Sequence, residues 1–331
     1  MTTGQIPVRR LGADGPVVGA IGLGCMGMTY AYEMDVERDD PMSIAVIREA
    51  IDRGCSLIDT ADVYGPYNNE ELVGQALRDG WRDRAVIATK VGLVVQPGSQ
   101  TPDNKRGIVG NDGRPEHVRA SIDGSLRRLG VDHVDLYQLH RVDANVPLEE
   151  TWGAMAEVVA AGKARWIGLS EVSAEQIATA HAIHPVTSVQ SEFSLWTRDI
   201  VAEVMPFCEV HGIGLLPFSP LGRGFLAGRF SSFDDVPEND FRRALPRFQQ
   251  EQLRANLAIV GAVRSVAERV GATPAQVALA WVLSKGDMII PIPGTKRLTY
   301  LADNLDAVSV ELSATDIAEL DALPAPEGTR Y

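Results

Sequence analysis

Eight short apolar runs alternate with helix-period segments, and no shift in composition divides the chain. These two observations predict an α/β fold, a (β/α)8 TIM barrel forming a single domain over residues 1–331. A third is more specific. Seven consecutive runs built from Val, Ile, Leu and Ala end in a polar, glycine or aromatic residue. In a parallel barrel those exits share one face, where functional groups gather. An open doubly wound sheet competes, but the count of eight units favours closure.

The first run is Val17 to Gly24, preceded by a short polar segment suited to a hairpin. Pro41 opens a helix carrying Ile44, Ile47 and Ile51 on one face, and Gly54 ends it. Strand two is Ser56-Leu57-Ile58-Asp59, and Asn68 with Glu71 resembles a capping box opening the next helix. Strand three, Ala85 to Thr89, runs into Lys90, and a long segment without periodicity follows from Val91 to Gly113. Loops of that length tend to be functional. Pro115 to Gly130 brackets helix three, and Val134 to Leu139 is strand four, ending at His140.

Leu148 to Ala161, Ala174 to Ile183 and Ile200 to His211 read as helices four to six. Between and after them lie strands Arg165 to Leu169, Thr187 to Val189 and Ile213 to Leu216. The second long loop runs from Leu221 to about Gln250, after strand seven. Helices over Leu253 to Val270 and Pro274 to Leu283 precede strand eight, Met288 to Ile292. A closing helix covers Arg297 to Leu305, with one more helical pattern near Ile317 to Leu320.

Composition bounds the function. The 331 residues are 45% hydrophobic and carry a formal net charge of −13, which argues against nucleic acid or an anionic membrane as partner. Met1 to Arg10 lacks the apolar core of a signal peptide, and no window approaches a membrane span. Three cysteines without CxxC or metal-type spacing read as reduced thiols, so no metal and a cytoplasmic location are expected. Nothing in the sequence specifies an oligomeric state.

Gly22-Leu23-Gly24-Cys25-Met26-Gly27 matches the G-x-G-x-x-G dinucleotide pattern. That pattern requires a helix opening at once, whereas a weakly patterned stretch and a charged run follow here. These glycines read instead as a close-packed strand end and a tight turn.

The strand exits are Asp59, Lys90, His140, Ser170, Gln190, Phe218-Ser219 and Gly294-Thr295. Alternation puts Leu57 with Asp59, Ala88 with Lys90, and Gln138 with His140 on shared faces. If those faces point inward, a carboxylate, an ammonium and an imidazole converge, and Tyr64 reaches the same mouth from the following loop. Each residue has a plainer reading alone: Asp59 as a cap, Lys90 as a solvated rim residue, His140 as a surface histidine. Jointly they make a proton donor. A lysine ammonium held by an aspartate lowers a phenol, and a histidine N–H adds a second donor to the same oxygen. Such a device suits carbonyl reduction.

Leu57-Ile58-Asp59-Thr60-Ala61-Asp62-Val63-Tyr64-Gly65, Ala88-Thr89-Lys90, Asp135 to His140, Gly168-Leu169-Ser170 and Ile292-Pro293-Gly294-Thr295 together resemble the aldo-keto reductase family, from about Val8 to Leu305. The branch with Gly-Leu-Ser-Glu (Gly168 to Glu171) and Ser-Pro-Leu-Gly-Arg-Gly (Ser219 to Gly224) is the most similar. The resemblance implies NADPH-dependent reduction of an aldehyde or ketone, with an Asp-Tyr-Lys-His tetrad at Asp59, Tyr64, Lys90 and His140. It implies that Ser170 and Gln190 hold the nicotinamide carboxamide and that Phe218 stacks on its ring. Glu171 stands where many members have the asparagine that shares this duty.

The pyrophosphate would lie along Ser219, Pro220, Leu221, Gly222 and Arg223. Gly294, Thr295, Lys296, Arg297, Asp303 and Asn304 match the clasp after strand eight, with Lys296 and Arg297 placed for a 2′-phosphate. Tyr30, Tyr32, Trp196 and Phe225 are candidates for the substrate wall, although any could simply pack a loop. Two other functions compete. Some relatives chiefly serve as cofactor-binding regulatory subunits, and a barrel lysine can form a Schiff base. A protonated Lys90 beside Asp59 disfavours the second.

Overall fold

A computed structural model describes residues 4–30, 32, 37–96, 98–99, 107–238 and 240–331. The apolar runs lie side by side in parallel and in chain order. Leu23–Gly24 pairs with Leu57–Asp59, which pairs with Val86–Val91; Val134–Leu139, Ala164–Ser170, Ser188–Glu192 and Gly214–Phe218 follow. These make one 7-stranded sheet.

The eighth run closes the sheet without forming a regular strand. Pro291 and Pro293 lack N–H groups, so the ladder is broken on every second residue. Closure rests on single bonds: Ile290 N–H donates to Leu215 C=O and Ile292 N–H to Pro217 C=O, both at 2.9 Å. On the other side Gly22 N–H donates to Pro291 C=O and Gly24 N–H to Pro293 C=O. The run expected as strand eight is therefore an irregular seam that completes the barrel.

Inward-facing Leu57, Ala88, Leu136, Leu216, Ile290 and Ile292 pack into one cluster with Leu11 and Val18. The last two come from an antiparallel hairpin, Val8–Arg10 with Val17–Gly19, that plugs the end opposite the strand exits. This divides the expected first strand. Val17–Gly19 belongs to the plug, the chain turns at Ala20 to Gly22, and only Leu23–Gly24 enters the barrel.

Helices cover the outside and follow their punctuation. Pro41, Pro115 and Pro274 lie in the first turns of Asp40–Asp52, Pro115–Leu129 and Pro274–Leu283. Gly130 stops the second of these in the left-handed region at φ 68°. The capping box expected at Asn68 does not form: Tyr67 is the cap residue, and the Asn68 amide reaches back to Gly65 C=O. Helix six is broken into a 3-10 turn, Asp199–Val201, and Val204–His211. Among the described residues, no helix is long and apolar enough to cross a membrane.

Both long loops carry local order absent from their patterning. The first contains an antiparallel pair, Leu93–Val95 with Ile108–Asn111. The second is folded through four 3-10 turns, Gly222–Gly224, Phe233–Asp235, Phe241–Ala244 and Pro246–Phe248.

The glycine cluster serves packing. A Cβ on Gly24 would sit 2.9 Å from Ile292 C=O, and one on Gly22 would press on Ile292 and Leu57. The segment after Gly24 forms a single 3-10 turn, Met26–Met28, with no α-helix opening behind it. Gly24→Ala should therefore lose about 1–3 kcal/mol in urea denaturation, because backbone must move to admit the methyl. Gly110→Ala, with no atom within 4 Å of the added carbon, should stay within about 0.5 kcal/mol of the native protein.

Candidate active site

The parity that faces Leu57, Ala88 and Leu136 into the barrel also faces Asp59, Lys90 and Gln138 inward, one layer nearer the exits. Lys90 is fully buried there, its side chain at 0% exposure. Its Nζ donates to Asp59 Oδ1 at 2.6 Å, to Thr60 C=O at 2.8 Å and to Tyr64 Oη at 3.3 Å. Those three bonds use every proton of the ammonium. Asp59 Oδ2 in turn accepts from Gln190 Nε2 at 2.8 Å and from Gln138 Nε2 at 3.3 Å.

Burial alone would lower Lys90, but Asp59 and Tyr64 outweigh it and hold the ammonium above its ordinary value. A lysine so held is a charge, not a nucleophile, which removes the premise of Schiff-base chemistry. Burial pushes the Tyr64 phenol above its ordinary value, while Lys90 pulls against that rise and Asp59 adds to it. The expected net acidification is therefore reversed: removal from water is the larger effect, and Lys90 only tempers it. Tyr64 is a protonated phenol with a cation waiting beside its oxygen. The His140 ring stands edge-on to the Tyr64 ring at 5.8 Å, and the Tyr30 ring stacks on its other side at 5.9 Å.

A cavity of about 930 Å³ opens over these groups, large for a small-molecule site. Asp59, Tyr64 and His140 line it; Lys90 lies behind them, out of contact with the space. Ser170, Gln190, Phe218, Ser219, Pro220, Leu221 and Arg223 form one flank, and Gly294, Thr295, Lys296, Arg297, Asp303 and Asn304 another. Arg297 is exposed and Lys296 half-buried, just before the helix Leu298–Asp306, so two cations meet free backbone N–H groups. The donor set suits an elongated anion with an aromatic end: phosphate-type contacts at Lys296 and Arg297, an apolar ring at Phe218, and a deep end at Tyr64.

Several positions differ from their sequence reading. Gly222 does not line the cavity; a Cβ there would lie 2.7 Å from the Trp196 ring, so the glycine is needed by that packing. Arg223 does line it, but its guanidinium is bonded to the buried Glu192 at 2.7 Å and to Tyr331 Oη at 2.9 Å. Asp303 accepts a bond from Thr273 Oγ1. Tyr30 and Tyr32 face the cavity, whereas Trp196 and Phe225 do not. Those two rings stack at 4.2 Å and Phe248 packs against both, so Trp196, in the segment just after Ser188–Glu192, pins the second long loop through Phe225 and Phe248.

Sequence reasoning missed four residues of this region. Gln138 shares the inward face of His140, and that parity could have assigned it to Asp59. Arg141 lines the cavity and donates to Ser170 Oγ at 3.1 Å. Glu192 is a strand-end carboxylate one turn of the pleat beyond Gln190, and it too lay within reach of the exit rule. Tyr331 also lines the cavity, far from any motif, and no local pattern marks it.

Replacing Lys90 by methionine should strand Asp59 as a buried, unmatched charge. The expected loss is about 3–5 kcal/mol in urea denaturation at neutral pH. Adding Asp59→Asn to the same chain should recover part of it; a double variant less stable than the single one would contradict the pairing.

Comparison with known proteins was consistent along the chain. The sequence profile of the Aldo/keto reductase family matches residues 20–325. A curated soybean (Glycine max) protein described as probable aldo-keto reductase 1 is 46% identical over 100% of this chain and 93% of its own. The glycerol dehydrogenase of Gluconobacter oxydans superposes with a TM-score of 0.83 at 28% identity, covering 97% of this chain and 95% of that one. A thermostable aldo-keto reductase crystallised with the inhibitor epalrestat gives 0.74 at 28% identity, over 96% and 99%.

Proposed function

This chain belongs to the aldo/keto reductase family, and from that premise we propose that it reduces an aldehyde or ketone to an alcohol with NADPH, Tyr64 giving the proton. The observation that carries the reading is the Asp59–Lys90–Tyr64 chain of contacts, with Asp59 and Tyr64 lining a cavity of about 930 Å³. NADPH, when bound, supplies the hydride that adds to the carbonyl carbon. The substrate oxygen, as its π pair becomes a lone pair, takes the Tyr64 proton. The phenolate left behind is matched by Lys90, whose charge Asp59 secures. His140 lies beside the same point and offers the second contact to the oxygen.

The flanks supply the binding. Ser170 and Gln190 would hold the carboxamide, Phe218 would stack on the ring, and Ser219, Pro220, Leu221 and Arg223, which line the cavity, would meet the pyrophosphate. Lys296 and Arg297 would meet the 2′-phosphate, which would favour NADPH over NADH. The substrate would enter over Tyr30, Tyr32 and the hairpin residues Leu93 and Ile108, an apolar approach for a small carbonyl compound. A small polyol or its ketone is one class to include, since the Gluconobacter relative is a glycerol dehydrogenase. An intact relay favours turnover over a purely regulatory role. Three buried cysteines, none in a disulfide, fit a reducing cytoplasm.

Tyr64→Phe should lower kcat for aldehyde reduction by about 10²–10⁴-fold while leaving NADPH binding, followed by its fluorescence, unchanged. Protonated Tyr64 is the active form, and its pKa lies above the ordinary phenol value. Consequently kcat/KM for reduction should be level from neutral pH to about 10 and fall only beyond it; a fall beginning near neutrality would overturn the net rise and show that Lys90 outweighs burial. Lys296→Ala should weaken NADPH about tenfold and leave NADH untouched. Equal losses for both cofactors would remove the 2′-phosphate assignment.

A further inference from the structure

Glu171 does not turn toward the cavity. Its backbone sits in the left-handed region at φ 56°, and its carboxylate is engaged with Glu192 and Arg330 instead. One carboxylate oxygen accepts from Glu192 N–H at 2.8 Å and the other is ion-paired with Arg330. Arg330 Nε also lies 3.8 Å from Glu192. A carboxylate in the place of an amide thus holds the segment 327–331, more than 150 residues away in sequence.

That segment is fastened at a second point. Asn256 and Glu327 exchange reciprocal bonds, amide to backbone C=O at 3.1 Å and backbone N–H to amide oxygen at 2.8 Å. Arg247 Nε donates to Gly328 C=O at 3.2 Å. Between these anchors and the cavity lies Tyr331. Its ring stands near both the Arg223 and Arg330 guanidinium groups, at 5.0 and 5.1 Å, and its hydroxyl accepts from Arg223. Tyr331 is 51% exposed yet lines the same cavity as Ser219 and Lys296.

We propose that residues 327–331 form a strap across the cofactor cleft, that Glu171 is its latch through Arg330, and that Tyr331 controls how long NADPH stays bound. This rests on the NADPH reading above. Asn256 and Arg247 make the hinge end, contacting only backbone of residues 327 and 328, so the strap stays tethered when the latch opens. The latch end is largely buried, with 23% of the Arg330 side chain and 10% of Glu171 exposed, but it is held by charge, so water entering at Arg330 can release it. Arg223 links the strap to the loop expected along the pyrophosphate, so the bound cofactor and the closed strap would reinforce one another.

The test is stopped-flow NADPH dissociation from the full chain, with hydrogen exchange over residues 324–331 read with and without NADPH. Tyr331→Ala and Glu171→Gln should each release NADPH about tenfold faster, the effect of losing one charge-assisted contact. Their melting temperatures without cofactor should stay near native. Arg330→Lys should retain more of the slow release than Arg330→Ala, and NADPH should slow exchange in the native strap. Dissociation rates within about twofold of native in both Tyr331→Ala and Glu171→Gln would overturn the strap alone. No NADPH binding by the native protein would overturn the cofactor reading and the strap together.

Discussion

A lysine ammonium with no exposed surface is the constraint on which the upper barrel depends. Removing such a charge from water costs several kcal/mol, and a single counter-ion seldom repays it. Here the repayment is shared: Asp59 gives the charge, Thr60 the backbone oxygen, and Tyr64 the third acceptor. Asp59 then needs its own second oxygen satisfied, and Gln138 and Gln190 do so from two further strands. Five residues, on three strands and the loop after Asp59, are thus fixed by one buried cation on a fourth strand. Moving any of them leaves a polar group unmatched in a low dielectric.

The same logic explains why the Tyr64 phenol is protonated rather than a standing anion, as its proposed role as donor requires. Burial disfavours phenolate, and Lys90 only partly offsets that. Tyr64 therefore keeps its proton until charge develops next to it. In the proposed reduction the cation acts after the transfer, not before, by meeting the phenolate where it would form. A site that held phenolate in its resting state would have nothing to give.

Away from the floor, order comes from pairs that join distant parts of the chain. Glu192 and Arg223 tie a strand end to the second long loop, and Arg330 and Tyr331 bring in the segment after the last helix. Trp196, from the segment after Ser188–Glu192, stacks on Phe225 and pins that loop. Prolines in the eighth run weaken the seam of the barrel beside Gly294 and Lys296, so this flank of the cavity is built where the sheet is least regular.

Local chemistry was legible in the sequence. Alternation within short strands dictates which residues point inward, so the convergence of Asp59, Lys90 and His140 at one face, with Tyr64 above, could be derived from spacing alone. The barrel, its helix boundaries at Pro41, Pro115 and Gly130, and the packing role of Gly22 and Gly24 followed from the same short-range rules. The tertiary structure decided everything that depends on distance along the chain. Glu171 turns from the cavity because Arg330 is there to receive it; Phe225 turns inward because Trp196 and Phe248 offer it a better surface than the cavity does. The net rise of Tyr64 is of the same kind, since burial is a property of the whole assembly and no interval in the sequence measures it.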